Sequence, residues 1–343
     1  RGALLSYEFT KTKEGIELTV HGQKEPAKLL LNTLLNAFLH ISSTETTYAH
    51  FKELMRKEND NFVFSTPIAQ AGEALKNVIF PYFVSRQEKR TALKTLSFKD
   101  YTTFHDSLFD QFEVVAVAYS TLSKEEAFAL YDQLPKPVRP FTEKKQFGAI
   151  LITKKEPKTV ESMIQPKGNV ILFAIQHEND TFKERAIQQV LMQGIRNAFF
   201  GSLRTKQQTG YLVFSQGNDG GNQLFDIFTV QSNTHDPKNL LNRFEIFFKE
   251  FLEELTVVHF PKERFEELKK SQITSLLIQP ENVVEMGTLF KTMAFEHDGD
   301  FDWHNKRIEA LKALSYEDFI NSTKELLDTD NNRQVAILLK GSN

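Results

Sequence analysis

Cysteine is absent from all 343 residues, which excludes disulfides, thiolate-bound zinc and a cysteine nucleophile. That absence does not choose a compartment, because cytoplasmic and periplasmic proteins can both lack the residue. Long apolar runs are missing too. Val114–Tyr119, among the longest, falls far short of the ~20 residues a spanning helix needs, so no membrane association is expected. Neither sign of charge dominates: 42 Lys+Arg stand against 45 Asp+Glu, a net charge of −3. No basic field points to nucleic acid. Phosphate-cradling glycine loops and the G-x-S-x-G elbow of serine hydrolases do not occur. Adjacent acids such as Glu125-Glu126 and Glu253-Glu254 sit in amphipathic helical patterns, where neighbours do not face each other, and are expected on solvated faces.

What is present is the balance of a soluble globular protein, with 40% hydrophobic and 25% charged residues and 31 phenylalanines to fill cores. The length allows two domains. Leu134-Pro135-Lys136-Pro137-Val138-Arg139-Pro140 cannot continue a helix or a central strand, and marks a linker. The basic stretch from Lys144 to Lys158 reads as a solvated connector. This divides the chain into 1–134, a linker over 135–146, and 147–343. The chain opens at Arg1 with no signal-like stretch, so a start lying upstream or removed is expected.

Before the linker, Leu4–Thr10 and Gly15–His21 alternate as a hairpin. Helices are expected at about 26–41 and 44–57 and from Thr66-Pro67, an N-cap followed by proline at the first helical position. Phe112–Ser120 reads as a buried strand. After the linker, strands are expected at Phe147–Thr153, Asn169–Gln176, Tyr211–Gln216, Gln223–Ser232 and Gln334–Lys340, with Gly217–Gly221 as a turn. A helix over 180–200 carries Ile187, Val190 and Leu191 on one face, and helical patterns fill 236–327.

A repeat is legible within the chain itself. Ala92-Leu93-Lys94-Thr95-Leu96-Ser97-Phe98-Lys99-Asp100-Tyr101 returns as Ala310-Leu311-Lys312-Ala313-Leu314-Ser315-Tyr316-Glu317-Asp318-Phe319, identical at six of ten positions. Both copies start a helix, with Ser97 or Ser315 as N-cap, Asp100 or Asp318 three residues on, and Leu96/Tyr101 or Leu314/Phe319 placed as staples. Each helix leads toward an expected strand. Duplication explains the shared order of flanking elements, and the first unit lacks a match to 169–200.

The nine histidines supply no zinc motif. His50-Phe51-Lys52-Glu53 has Leu54 where H-x-x-E-H needs a second histidine, and His177-Glu178 has Thr181 where H-E-x-x-H needs one. Half a motif leaves too few ligands.

Leu203-Arg204-Thr205-Lys206-Gln207-Gln208-Thr209-Gly210-Tyr211-Leu212-Val213-Phe214-Ser215 closely resembles the signature of the carboxy-terminal half of insulinase/pitrilysin zinc metallopeptidases. It departs at Gln207, where that family usually has an acid, and at Thr209, where it has an apolar residue. The resemblance runs along essentially the whole chain in element order. It implies an α+β fold of two tandem insulinase-type α/β-roll domains: a truncated third domain and a complete fourth. Each has a mixed, mainly antiparallel sheet packed by helices. It further implies that zinc is held by an amino-terminal half, the partner of this chain, and by no residue here. The 180–200 helix would be the counterpart of the zinc-bearing helix. This half would wall a chamber for peptide substrates, and Arg204 and Tyr211 would assist at the transition state. Alone it would be inactive. A non-catalytic scaffold or partner subunit is the alternative, and a truncated first sheet would invite self-association. The compartment, periplasmic or cytoplasmic, is left open.

Overall fold

A computed structural model describes residues 5–12, 15–138, 148–152 and 158–342. Arg139–Gln146 of the expected linker and most of the Lys144–Lys158 stretch lie outside them, as does Leu4. In chain order the elements are β1 (Ser6–Lys11), β2 (Ile16–His21), α1 (Lys24–Leu39), α2 (Glu45–Asn61), α3 (Pro67–Ile79), α4 (Arg86–Thr95), α5 (Phe98–Ser107) and α6 (Lys124–Asp132). They continue with β3 (Lys158–Lys167), β4 (Asn169–Gln176), α7 (Phe182–Phe200), β5 (Leu212–Gly220), β6 (Gln223–Ser232) and α8 (Pro237–Glu253). The series closes with α9 (Lys262–Leu277), α10 (Val283–Glu296), α11 (Trp303–Ala313), α12 (Tyr316–Leu327) and β7 (Gln334–Ser342). Single π-helical turns follow α7 at Gly201–Lys206 and α8 at Leu255–His259.

The fold is α+β, and it divides into two compact units that do not follow the linear order. One gathers Arg1–Met55, Ala92–Gln146 and Gln279–Trp303; the other gathers Arg56–Thr91, Phe147–Ile278 and His304–Asn343. In the second unit, five strands run in the order β3-β7-β4-β6-β5. Only β3 and β7 pair in parallel; the remaining neighbours are antiparallel. Strands β4 and β6 are buried along nearly their whole length, as continuous apolar runs require. One sheet face meets α7, α8 and α12 through Ile187, Val190, Phe199, Phe244, Phe248 and Phe319. The other meets α3 through Ala71, Leu75 and Ile79. Helix α3 precedes the proline-rich segment yet covers the later sheet, because its apolar stripe is matched there by Val170, Leu172 and Ile337.

Helix starts follow the local chemistry. Thr66 Oγ1 accepts from the Ala69 amide with Pro67 at the first position, and Asp236 caps α8 beside Pro237. The first unit holds the expected antiparallel hairpin, with Ser6 opposite His21. Its apolar contacts include the ring pairs Phe9 on Phe38, Phe38 on Phe109 and Tyr119 on Phe290. Among its described residues only Leu93 and Met293 are buried apolar side chains.

Two strand expectations and one turn need correction. Phe112–Ser120 forms no strand, and Val115 and Tyr119 are exposed. An apolar run becomes a strand only beside a partner, and β1–β2 remains a two-stranded sheet. Residues 148–152 of the expected Phe147–Thr153 strand form no strand; Phe147 and Thr153 lie outside the described residues. Their polar groups are met instead by side chain and turn. Ile152 N donates to Gln176 Oε1 at 2.6 Å, Gln176 Nε2 donates to Ile150 O at 2.9 Å, and Ala149 N donates to Gly221 O at 2.8 Å. The turn at Gly217–Gly221 is shorter than expected. Strand β5 pairs with β6 as far as Gly220, and Gly221 and Asn222 alone turn the chain, at φ +62° and +57°. Two consecutive positive angles are what a two-residue hairpin demands. Strand β3, whose sequence alternates poorly and contains Pro166, was not foreseen.

Candidate functional site

Helix α7 delivers the signature segment. Its own face is core: Ile187, Val190 and Leu191 are fully buried. The π turn at its end redirects the chain, and Gln208 takes a positive φ of 52°. Three bonds then close the loop. Thr209 donates from both its amide (3.0 Å) and its hydroxyl (2.8 Å) to Leu203 O, and Gln207 N donates to Ser202 O at 3.0 Å. Arg204 Nη1 donates to Gly210 O at 2.6 Å. That carbonyl belongs to the peptide preceding Tyr211, so arginine and tyrosine are held on one small loop.

Gly210 is fixed by space. A Cβ there would lie 2.2 Å from Gln231 O on β6, a distance no side-chain carbon tolerates. This close approach sets the loop against β6, where Gln231 Nε2 donates to the Tyr211 hydroxyl. Gln231 is buried while the Tyr211 ring is 54% exposed, so the phenol is anchored at its oxygen and open to solvent along its flank. The two departures from the signature also have partners. Gln207 Oε1 accepts from Arg243 Nη1 at 2.8 Å, and Gln207 Nε2 donates to Ser202 Oγ at 3.1 Å. An acid at 207 would turn the first contact into an ion pair and reverse the second, with the Ser202 hydroxyl then donating. Thr209 is fully buried, and its hydroxyl is satisfied within the loop.

Metal chemistry does not fit these residues. Among the described residues no three His, Asp or Glu side chains converge as a metal site. His177 is instead enclosed between two acids, with Nδ1 3.0 Å from Glu184 Oε2 and Nε2 3.4 Å from Asp226 Oδ2. The carboxylates flank the ring on opposite nitrogens rather than meeting at one point. Burial alone would push the imidazole down, yet Asp226 and then Glu184 outweigh it and raise the pKa to about 9. Sequence reasoning missed Gln231, Arg243 and Asp226, since each acts across strands or helices distant in the chain. The hydrophilic break in the otherwise apolar β6, at Asp226 and Gln231, was the available signal.

Comparison with known proteins bears on the fold. The family described as the middle or third domain of peptidase M16 matches residues 2–92, and the one described as PQQ synthase PqqF-like, C-terminal lobe domain 4, matches residues 190–290. The A-factor-processing enzyme of Saccharomyces cerevisiae is 23% identical over 98% of this chain and 33% of its own length. Human insulin-degrading enzyme is 21% identical over 95% of this chain and 33% of its own length. The chain is similar to insulinase/pitrilysin-type peptidases along most of its length. It spans about a third of the length of these curated relatives. Its fold matches the crystal structure of pitrilysin with a TM-score of 0.79 at 19% identity, covering 98% of this chain and 36% of the other. A peptidase M16 inactive domain from Pseudomonas fluorescens superposes with a TM-score of 0.70 at 12% identity, covering 99% and 81%. The similar proteins include peptidases, and among the described residues of this chain no helix is long and apolar enough to cross a membrane.

Proposed function

We propose that this chain is the non-zinc part of a zinc-dependent endopeptidase, with 1–134 belonging to a third insulinase-type domain and 147–343 forming a fourth. An amino-terminal half supplies the metal, the attacking water and the general base. This part walls the chamber around a peptide and presents Arg204 and Tyr211 to the scissile bond. The observation that carries the reading is the 203–211 segment, which spends part-buried hydrogen bonds and a glycine contact on fixing an exposed phenol and on tying a guanidinium to the carbonyl just before it. In a water-poor chamber, such donors stabilise the oxyanion of a tetrahedral intermediate, each worth on the order of 3 kcal/mol.

The test is cleavage of a quenched fluorescent peptide by this chain alone, by the amino-terminal half alone, and by the two mixed. Cleavage is expected only with the zinc-bearing half present, and Arg204→Ala should lower it on the order of 10²-fold. Chelator-sensitive cleavage by this chain alone would sink the reading. A second reading, a non-catalytic scaffold subunit, draws support from the likeness to the M16 inactive domain. It requires Arg204→Ala to leave turnover unchanged while assembly with the zinc-bearing half persists.

A further inference from the structure

We propose that Gln231 is a positioning residue that aims the Tyr211 hydroxyl proton outward, toward the oxygen of a bound peptide. The inference rests on the reading that Tyr211 acts as a hydrogen-bond donor in hydrolysis, and it identifies what makes it one.

A phenol has one proton to give and lone pairs to receive with. Left alone, its O–H rotates between the two in-plane directions. Gln231 sits on β6 opposite Leu212 of β5, one residue beyond Tyr211, and is only 3% exposed. Its Nε2 donates to the Tyr211 oxygen. An amide N–H pointing at the phenol occupies a lone pair and repels the O–H from that side, so the proton is directed to the opposite, open flank. The exposed ring leaves that flank accessible. A donor that is already oriented needs no reorganisation when negative charge develops on its partner.

The surroundings make a merely structural amide costly. Gln231 shares a sheet with Val170, its register partner on β4, and Ile227 on its own strand, both part of an apolar cluster. An apolar side chain would suit that position, and an amide there must find a partner. The partner it has is the hydroxyl. Gly210 makes the meeting feasible, because any larger residue would push the loop away from the Gln231 backbone.

The deciding variant is Gln231→Glu in the complete zinc-loaded protein. The shape is kept, and at an alkaline assay pH chosen to ionise the buried carboxyl it only accepts, so it draws the phenol proton inward. Peptide hydrolysis would be measured for wild type, Tyr211→Phe, Gln231→Glu and the double variant, with zinc content and thermal unfolding as controls. Tyr211→Phe is expected to lower kcat on the order of 10²-fold with KM nearly unchanged. Gln231→Glu should fall to the same level, and the double variant no lower. If Tyr211→Phe is impaired while Gln231→Glu retains most of its turnover, the positioning role is wrong and the role of Tyr211 stands. Full activity in Tyr211→Phe would overturn both. Should Gln231→Glu fail to fold, Gln231→Met replaces it: the amide donor is lost, the proton is no longer aimed, and kcat must drop severalfold at constant KM. Unchanged kcat in Gln231→Met would also refute the proposal.

Discussion

The two copies of the repeated decapeptide begin alike and end differently. At Ser97 the hydroxyl accepts from the Asp100 amide at 3.2 Å, and at Ser315 it accepts from the Asp318 amide at 3.0 Å. Beyond the cap the environments part. Leu314 and Phe319 are buried, and Phe319 packs its ring on Phe260 and Phe265 at 4.8 and 5.0 Å. Leu96 is exposed, and α5 buries no residue. Helix α12 leads into β7, which pairs on both sides within the sheet; α5 leads into residues 112–120, which pair with nothing as a strand. A cap needs four consecutive residues, whereas burial needs partners from elsewhere in the chain. The same local instruction therefore serves a core in one unit and a half-exposed helix in the other.

The sharpest way to break this comparison is to truncate the matched aromatics. Phe319→Ala should destabilise the second unit by about 3–5 kcal/mol, the range for emptying a large buried ring. Tyr101→Ala, at the equivalent position, should cost no more than about 1 kcal/mol, because the ring is only half-buried against Tyr48 and Phe98. Hydrogen exchange of α12 and α5 amides during urea titration separates the two losses. Equal losses would mean that the units differ less than their burial implies.

How much was legible follows the same line. Caps, the hairpin, α7 and strands β4 to β7 were readable because their signals are periodic or confined to a few residues: Thr66-Pro67, the apolar run of 169–176, the glycine-rich turn. Arg204 and Tyr211 were singled out by a contiguous signature; Arg204 lies in the π turn after α7, and its guanidinium donates to the carbonyl just before Tyr211. Gln231 was not legible, because nothing in a single sequence links position 231 to position 211 until β5 and β6 pair. Residues 112–120 were misread for the complementary reason: their apolar character was real, but a strand also requires a neighbour that no local pattern can announce. Helix α3 covering the later sheet is a third case, in which the stripe was visible and its destination was not.

The buried ionic group sharpens the contrast next, since the second unit contains a buried charge cluster and the comparison turns on burial. With its pKa raised to about 9 in the fold against roughly 6.5 when unfolded, His177 binds a proton more tightly in the native state. Its stabilising contribution is complete below about pH 6.5 and is lost as pH climbs through about 9. Urea midpoints of the second unit should therefore decline between pH 7 and pH 10, by on the order of 3 kcal/mol at most. His177→Gln should flatten that decline, since a neutral amide has no proton to lose. A variant that keeps the full slope would show that Glu184 and Asp226 do not hold the imidazole charged.

The smallest effect is also the most direct test of the shared instruction. Ser97→Ala and Ser315→Ala each remove one side-chain acceptor from the third amide of a helix, and each should cost about 1 kcal/mol. The costs should agree within a few tenths despite the difference in burial, because the bond lost is the same and lies at an exposed helix end in both copies. Glycine at either position should recover most of the loss by leaving the amide open to water. The readout is exchange of the first-turn amides of α5 and α12. If Ser315→Ala costs several times more than Ser97→Ala, the cap is coupled to the core beneath it, and the cap of α12 is no longer a local device.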